Sequence, residues 1–415
     1  MMPTGNWRHV IQALRYRDHR LFNTTLLPAL ISLAAQRTGI GWMTWELTRS
    51  PTWLGIVAAA DLLPGVLLSP FAGVTADRAV PLKMMRLTQG IIMVHALVLW
   101  GLTCTDMMNV WILLGLSLVT GINQPYAVAG RMVFYAVLVP REELSTAVAI
   151  NSAVFNLGRT LGPALAGLMI GPFGVASVFF LNFAAFTAHL VNLFRIRPMR
   201  VDRPETQRRG VLTEIGEGLR YTVRHPGIGP LLLLLVVVTT ISRPVNEMLP
   251  GFADVVFARG PEGLGWLLTS VGVGGVLGAL WLTQRGPVKG LTTVVMSTTI
   301  VMGISMAAFA VMESFWAALV FLAVIGYGHT VTGTAAQSLM QTAVSSEVRG
   351  RVMSLYTIIF RSMPALGAIA MGLIADAIGL SPTVLAAGLI CLFVGVAAQP
   401  MRKAMAETLE VPPKT

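Results

Sequence analysis

Six charged side chains lie near the middle of long apolar stretches of this 415-residue sequence. They are Arg37, Asp61, Arg159, Arg243, Glu247 and Arg361. A charge at bilayer depth is costly unless it faces a polar cavity or a partner, so such residues are functional candidates by default. A carboxylate there can bind and release a proton, and an arginine can hold an anion or keep a nearby carboxylate ionised. The pattern predicts proton transfer, anion binding or both.

Arg37 and Asp61 flank a turn that centres near residues 50–51. Arg37 lies 13 residues before this turn and Asp61 lies ten residues after it. At about 1.5 Å of rise per helical residue, the depths of the two side chains differ by only about 4–5 Å. The spacing predicts an Arg37–Asp61 pair across a helical hairpin, with Asp61 as a candidate proton carrier.

The stretch SRPVNEMLP, residues 242–250, contains a second arginine and carboxylate close together in one span. Arg243 and Glu247 are four residues apart, which places them on one face of a helix. Pro244 and Pro250 predict a kinked or broken helix, because proline lacks a backbone N–H donor. Broken helices at bilayer depth are typical of ligand-binding sites in membrane proteins. Glu247 is therefore a second candidate proton carrier.

Arg159 lies in the stretch GRTLGPALAG, and Arg361 occupies a related position in a later apolar stretch. Both are expected to face a water-accessible cavity; a purely structural buried pair and snorkelling to the membrane surface are the alternatives. Further cavity candidates are the polar residues Gln36, Asn123, Gln124, Tyr327 and His329. For each of these five, a hydrogen bond between helices is the competing interpretation.

The composition indicates that these helices lie in a membrane. Hydrophobic residues make up 54% of the sequence and charged residues only 12%, with a mean hydropathy of +0.71. A soluble domain cannot hide that much apolar surface, whereas about 20 apolar residues suffice to cross a bilayer. No cleavable signal peptide is expected, because the first residues are polar and arginine-rich. Twelve spans are predicted, at roughly 22–47, 53–75, 85–105, 110–130, 146–170, 174–194, 229–256, 264–284, 290–311, 315–338, 352–375 and 382–399.

Basic residues are distributed unevenly between these spans. Two arginines, Arg49 and Arg259, fall on one side of the predicted membrane, four lie within spans, and the remaining 24 of 30 basic residues lie on the other side. Because basic residues concentrate on the cytoplasmic side, both termini are expected in the cytoplasm. The formal net charge of +11 is then a topology signal, and no nucleic-acid partner is expected.

The longest polar interruption, residues 195–228, contains eight arginines and divides six spans from six. Its charge favours contact with anionic membrane lipid. The two halves also match each other at an offset of 205 residues, and the matched pairs include Gly73 with Gly278, Gly121 with Gly326 and Gly162 with Gly367. The predicted organisation is an N-terminal six-helix bundle (1–194), a linker (195–228), a C-terminal six-helix bundle (229–399) and a tail (400–415). Two halves with an even number of spans run in parallel, related by a pseudo-two-fold axis.

The stretch GVTADRAVPLK, residues 73–83, resembles the cytoplasmic signature G-x-x-x-D-R-x-x-x-x-[RK] of the major facilitator superfamily. The chain resembles this superfamily along nearly its full length, which implies an all-α fold of 12 transmembrane helices in two six-helix bundles. The resemblance also implies a conformational latch, formed by Gly73, Asp77 and Arg78 with Arg131 as the expected partner of Asp77. A loop that only sets topology is the alternative.

The stretch GRTLGPALAG resembles the antiporter motif of the same superfamily, G-x-x-x-G-P-x-x-G-G. Gly158, Gly162, Pro163 and Gly167 match this motif, and Ala166 departs from it. The motif is associated with exporters rather than importers. Ordinary packing of small residues between helices is the alternative.

Three further stretches look most like the bacterial branch that contains enterobactin exporters and macrolide efflux proteins: LTRSPTWLG, LLSPFAGVTADR and VPREELSTAVAINSAVFNLGRTLGP. The resemblance implies a proton-coupled antiporter in the bacterial inner membrane that exports small amphipathic molecules such as drugs or siderophores. It also implies a monomer. A proton-independent facilitator or flippase for an anionic or lipid-like metabolite is the alternative.

Other classes of protein find little support in the sequence. It shows no nucleophile–base pair, no closely spaced metal ligands and no G-x-x-x-x-G-K-[ST] loop, so no enzyme, metal site or cofactor is expected. A signalling scaffold that has lost transport would not need mid-membrane charges in both halves.

Overall fold

The computed structural model describes residues 15–140, 143–197, 220–222 and 225–411, apart from the side chains of residues 346 and 347. Within these ranges the chain is helical and contains no β-strand. Its helices, in chain order, are α1 (Arg17–Thr48), α2 (Pro51–Arg78), α3 (Pro81–Cys104), α4 (Val110–Tyr135), α5 (Leu144–Phe173), α6 (Ala176–Arg195), α7 (Ile228–Ser242), α8 (Val245–Gly251), α9 (Gly260–Arg285), α10 (Leu291–Ala310), α11 (Phe315–Ala343), α12 (Ser346–Ile378), α13 (Leu380–Ala397) and α14 (Arg402–Leu409). A π-helical turn, Phe252–Val256, follows α8.

Eleven helical segments of the described residues are long and apolar enough to cross a membrane, and the protein is a multi-pass membrane protein. The predicted number of spans is larger by one, because the hydropathy of α1 is too low for it to be counted. Helix α1 has 32 residues, a length of about 48 Å. Its low hydropathy comes from polar side chains such as Asn23, Ser32 and Gln36, all of which are buried within the protein.

The described residues group into two compact units. The first comprises the described parts of Met1–Leu47 and Leu63–Thr206, and the second comprises those of Thr48–Leu62 and Gln207–Thr415. Helix α2 therefore contributes its first turns to the second unit and the rest to the first. The domain limits at the linker 195–228 stay a prediction, because most of the linker lies outside the described residues.

An aromatic cluster joins α1 to α4 in the first unit. The Phe22 ring lies 5.2 Å from that of Phe134 and 5.4 Å from that of Tyr135, in edge-to-face geometry, and all three side chains are fully buried. The Tyr135 hydroxyl donates a hydrogen bond of 3.0 Å to Asn23 Oδ1. Aromatic burial of this kind stabilises the contact, and the hydrogen bond satisfies the buried hydroxyl.

Glycines let α9 and α11 pack backbone to backbone in the second unit. A Cβ atom at Gly274 would overlap the carbonyl oxygen of Ala323, and one at Gly326 would overlap the carbonyl oxygen of Val271. Reciprocal small-residue contacts of this kind are how membrane helices approach closely. Any larger side chain at either glycine would push these two helices apart.

The predicted C-terminal tail contains a helix that packs onto the second unit. Helix α14 buries Met405 and Leu409. The Glu410 carboxylate that follows accepts hydrogen bonds from the backbone N–H groups of Gly290 at 2.6 Å and Thr292 at 3.0 Å. These acceptors satisfy free donors at the N-terminal end of α10, where a negative charge is also favoured.

His225 provides a similar cap at the start of α7. Its Nδ1 accepts hydrogen bonds of 3.2 Å from the backbone N–H groups of both Gly227 and Ile228. Burial lowers the pKa of the His225 imidazole, which favours the neutral form that can accept. The cap therefore contributes stability above the ordinary pKa of histidine and loses it as the pH falls through the lowered value.

Candidate functional site

The seventh predicted span is broken at Arg243 and Pro244. Helix α7 ends before these residues and α8 begins after them. Short-range bonds cross the gap, from the Asn246 N–H to the Arg243 carbonyl at 3.2 Å and from the Glu247 N–H to the Pro244 carbonyl at 2.9 Å. Pro244 has no N–H with which to continue the α7 ladder. The predicted helix break is confirmed, and it places Arg243 and the half-buried Glu247 beside irregular backbone.

Two of the predicted cavity residues, Arg243 and His329, line one small cavity inside the second unit. The Arg243 guanidinium carbon lies 4.0 Å from the centroid of the Phe360 ring. Phe360 in turn stacks on Tyr356, with ring centroids 5.3 Å apart. On the other side, His329 Nε2 lies 3.1 Å from Ser242 Oγ. The cavity, which has room for about one water molecule, thus combines a cation, an aromatic face and polar groups.

Tyr327 and Gln124 occupy different surroundings from those of Arg243. Tyr327 is half-buried with its ring 6.0 Å from that of Trp281, and it does not line the cavity. Gln124 is exposed on α4 of the first unit, where its side-chain oxygen faces Gly65 of α2. Gln124 therefore stays a candidate for ligand contact, whereas Tyr327 is partly engaged in aromatic packing.

Gln36 and Asn123 form hydrogen bonds between helices of the first unit. Gln36 is 1% exposed; its Oε1 accepts a 2.7 Å bond from Asn182 Nδ2, and Ser32 donates to Asn182 Oδ1 at 2.9 Å. Asn123 is 5% exposed and donates to the Thr88 carbonyl at 3.1 Å. Both side chains follow the competing interpretation, polar contact between helices, rather than the predicted cavity role. Sequence reasoning missed Asn182, although a polar residue within the sixth span was a usable signal.

Three mid-span arginines are exposed on their own units: Arg37 and Arg159 on the first, and Arg361 on the second. Arg37 lies within electrostatic reach of Arg159 in the first unit. Asp61 in α2 is half-buried. The pairing of Arg37 with Asp61 stays a prediction.

The antiporter-like motif packs against α1 within the first unit. A Cβ atom at Gly158 would lie 2.9 Å from Leu30 Cβ, and one at Gly162 would lie 2.7 Å from the Ile31 carbonyl oxygen. The neighbouring buried residues of this stretch are Pro163, Ala166 and Gly167. Ala166, where the motif has glycine, is also a small residue and is buried in the same stretch. These residues form a close helix–helix contact, and a role in gating stays a proposal.

The predicted latch residues lie at the end of α2 and in α4. Gly73 is half-buried, whereas Asp77 and Arg78 are exposed. Arg131 is 9% exposed, and its guanidinium carbon lies 5.9 Å from the centroid of the Phe155 ring. Within the part of the chain that the structure describes, Arg131 forms no ion pair. The expected Asp77–Arg131 pair is therefore not formed in this structure.

Two carboxylates of the second unit hold the turn between α1 and α2. Arg49 forms an ion pair with Asp254. Asp376, in the last turn of α12, accepts hydrogen bonds from the Ser50 hydroxyl at 2.7 Å and from the Thr52 backbone N–H at 3.2 Å. The second bond satisfies a free donor at the N-terminal end of α2. We call these five residues the turn anchor.

Sequence reasoning missed the turn anchor. Arg49 and Asp254 are 205 residues apart, so the partners hold equivalent positions under the internal offset, and this was an available signal. The turn is also held by backbone contact: a Cβ at Gly372 would lie 2.5 Å from the Pro51 carbonyl oxygen, and one at Gly55 would overlap the Ala368 carbonyl oxygen.

We expect Asp376→Ala to destabilise the second unit by about 1–2 kcal/mol, because it removes an acceptor at a helix N-terminus. Asp254→Ala should lower the free energy of unfolding by less, about 0–1 kcal/mol, because the Arg49 and Asp254 side chains are 59% and 25% exposed and such pairs are screened by water.

Heat unfolding in detergent measures the stability of both variants. It is followed by the reaction of a thiol-reactive dye with the buried Cys391 in a Cys104→Ser background. Glu313→Ala, at an exposed position of the same unit, is the control. A larger loss for Asp254→Ala than for Asp376→Ala contradicts this order.

The helices described above define a class of protein, a polytopic membrane protein. A sequence model of the transmembrane secretion effector family matches residues 14–414. The chain belongs to this family, which is part of the major facilitator superfamily, and it is a transport protein rather than an enzyme. Among the described residues, no group of three or more His, Cys, Asp or Glu side chains is placed to hold a metal ion.

Similar curated proteins are named as efflux pumps. The chain is 28% identical over 397 residues to the multidrug efflux pump Tap of Mycolicibacterium fortuitum. The aligned region covers 91% of this chain and 96% of the pump. It is 23% identical over 372 residues to macrolide efflux protein A of Streptococcus pyogenes, covering 89% of this chain and 92% of that protein.

Solved transporter structures share the fold at low sequence identity. A bacterial homologue of the human lysosomal transporter Spinster matches with a TM-score of 0.70 and 14% identity, over 95% of this chain and 98% of its own. The nucleoside transporter NupG matches with a TM-score of 0.73 and 12% identity, over 93% of this chain and 99% of the NupG chain. The family model that matches residues 14–414 confirms the resemblance to the superfamily that the motifs indicated.

Proposed function

We propose that this transporter is a proton-coupled exporter of small amphipathic molecules, with drugs or siderophores as the cargo. Its similarity to proteins named as multidrug and macrolide efflux pumps supports the direction and the class of cargo. The observation that carries proton coupling is the placement of two half-buried carboxylates, Asp61 and Glu247, in apolar helices. A carboxylate that binds its proton in one conformation and releases it in another links proton entry to cargo exit.

The proposed topology has twelve spans, both termini in the cytoplasm and two bundles related by a pseudo-two-fold axis, in the bacterial inner membrane. Helix α1 supplies the twelfth span. Its length exceeds the thickness of a bilayer core, and its buried polar residues are satisfied by neighbouring helices rather than exposed to lipid. The uneven distribution of basic residues supports the orientation.

The cargo site is proposed to include the mid-span arginines together with exposed or half-buried polar residues. Arg37, Arg159 and Arg361 are exposed, and Arg243 lies at the helix break. Fixed positive charges favour a cargo that carries an anionic group. Gln124, Tyr327 and His329 are the polar candidates that retain accessible surface. The transporter is proposed to act as a monomer without a cofactor.

The latch and the antiporter-like motif are proposed to govern the change of conformation. For Asp77 to pair with Arg131, the guanidinium would leave the Phe155 ring, so pairing belongs to a different state of the cycle. Gly158 and Gly162 are proposed to let α5 slide on α1 during that change, since only small residues permit such close approach.

A proton-independent facilitator or flippase for an anionic or lipid-like metabolite is the second candidate. The observation in its favour is that the mid-span arginines outnumber the mid-span carboxylates. In that case the arginines would bind the substrate, and no proton would need to move.

Transport by the purified protein in liposomes with a trapped pH dye separates the two candidates. The panel would contain a siderophore, a macrolide and a lipophilic drug, each added with and without an imposed proton gradient. We expect cargo to move only with a gradient, and protons to move with it. Cargo flux that is unchanged when an ionophore collapses the gradient would refute the antiporter and favour the facilitator.

A further inference from the structure

The surface between α3 and α6 of the first unit carries an arginine that is held in one orientation. The Arg86 guanidinium donates two hydrogen bonds to the Leu193 carbonyl oxygen, at 3.3 Å from Nε and 3.0 Å from Nη2. Its carbon lies 4.4 Å from the centroid of the Phe194 ring. Within the described parts of the chain, the remaining nitrogen, Nη1, has no protein acceptor. An oriented, charged donor group is therefore left for a ligand.

Three basic side chains lie where α3 begins and α6 ends. Lys83 is three residues before Arg86 and so lies on the same side of α3, and Arg195 is the last residue of α6. Among the described residues, none of these three cations forms an ion pair. The carboxylate of Asp18, which also lies at this end of the unit, pairs with Arg17 and accepts a backbone N–H just after α6. This surface therefore attracts an anionic group.

The same surface becomes apolar and open one helical turn further along α3. A Cβ atom at Gly90 would meet only Leu190 Cδ2, at 4.0 Å, so the glycine leaves a shallow groove between α3 and α6. The large apolar side chains of Leu87 and Phe194 are exposed beside it. Exposed apolar surface of this kind marks a site of contact with membrane. A cationic end and an apolar groove match the two parts of a phospholipid.

We propose that this surface binds one anionic phospholipid from the adjoining leaflet. Its phosphate group accepts hydrogen bonds from Arg86 Nη1, and one acyl chain lies in the groove beside Gly90. Lys83 and Arg195 favour a lipid with a net negative charge over a zwitterionic one. The proposed topology makes this the cytoplasmic leaflet, but the site itself depends neither on that orientation nor on export.

Native mass spectrometry of the purified full-length protein in detergent tests the site, with the affinity of the first bound lipid as the readout. The probes are dioleoylphosphatidylglycerol, which is anionic, and dioleoylphosphatidylcholine, which is zwitterionic. We expect the wild type to bind the anionic lipid about fivefold more tightly, the contribution of one basic residue near an anionic lipid surface. Arg86→Gln should weaken binding of the anionic lipid about tenfold, the lower range for a hydrogen bond to a charged group.

Arg20→Gln is the matched control, because Arg20 is an exposed arginine near the start of α1, at the same end of the first unit. It removes the same charge and should leave the affinity of the first lipid unchanged. Equal binding of the two lipids by the wild type, or equal losses in Arg86→Gln and Arg20→Gln, would overturn the proposal.

Two further measurements test the acyl chain and the source of the phosphate. Gly90→Leu fills the groove and should weaken binding of both lipids by a similar factor, so that the preference for the anionic one is kept. Unchanged binding in this variant would contradict the place assigned to the chain. Glycerol 3-phosphate has the phosphate without the chains and should not displace the lipid; displacement would show a site for soluble phosphate instead. Intact lipid preference in a protein that moves no cargo would refute the export function and leave the lipid site standing.

Discussion

Asp61→Asn is expected to abolish proton-driven efflux while the protein still folds and inserts. Asparagine has nearly the same shape as aspartate but cannot bind and release a proton. Coupling requires that proton and cargo bias the same conformational equilibrium. With Asp61 as the group that carries this bias, its loss should lower export about 100-fold, the upper range of such coupling. Asp61 is half-buried in the long apolar helix α2, where a charged side chain is tolerated only beside a partner or a polar cavity.

The measurement is efflux of a fluorescent cargo from inverted membrane vesicles energised by respiration, compared at matched amounts of transporter. Asp106→Asn is the control, since Asp106 is an exposed loop carboxylate with φ of 52°, a conformation that asparagine tolerates. It should transport as the wild type does. Wild-type efflux by Asp61→Asn, combined with loss in Glu247→Gln, would move the coupling role to α8. Wild-type efflux by both variants would remove the carboxylates from the mechanism.

The helices were predictable from the sequence because two strong signals agree. Apolar length sets each span, and proline, glycine or charged residues end it. The predicted span at 382–399 overlaps helix α13, Leu380–Ala397, and that at 85–105 overlaps α3, Pro81–Cys104. The break in the seventh span followed from Pro244, whose missing N–H acts locally and needs no knowledge of the rest of the fold.

The site was harder to predict because hydropathy gives the depth of a residue but not its direction. Successive helical residues point about 100° apart, so Gln36 faces the interior of the first unit while Arg37, one residue later, is exposed. Asn123 and Gln124 differ in the same way. A polar residue in a span therefore has two readings until its neighbours in space are known.

The turn anchor shows a second limit of sequence reasoning. Arg49, Asp254 and Asp376 lie near the ends of helices, where a charged residue is ordinary and needs no partner to be tolerated. Their contacts connect residues more than 200 positions apart. The packing of whole helices determines which of these residues come into contact. The internal offset of 205 residues indicated only one pair, Arg49 with Asp254.

Gly162→Ala is expected to destabilise the first unit by about 3 kcal/mol, the upper range for overpacking a close contact. The added Cβ would lie 2.7 Å from the Ile31 carbonyl oxygen and 2.9 Å from the Ala35 backbone nitrogen. Backbone atoms of α1 cannot turn aside as a side chain can, so the helices must separate. The measurement is heat unfolding in detergent followed by tryptophan fluorescence, to which the buried Trp42 and Trp45 of α1 contribute.

Gly171→Ala is the matched control on the same helix, because a Cβ there would meet nothing within 4 Å. It should stabilise the protein by about 0.5–1 kcal/mol, since alanine favours a helix more than glycine does. Equal unfolding temperatures for the two variants would refute the packing role of Gly162. Measuring efflux alongside stability then separates the two readings of the motif. Export that falls only as far as the amount of folded protein falls assigns Gly162 to packing, whereas lost export in a fully folded variant assigns it to the movement of α5 on α1.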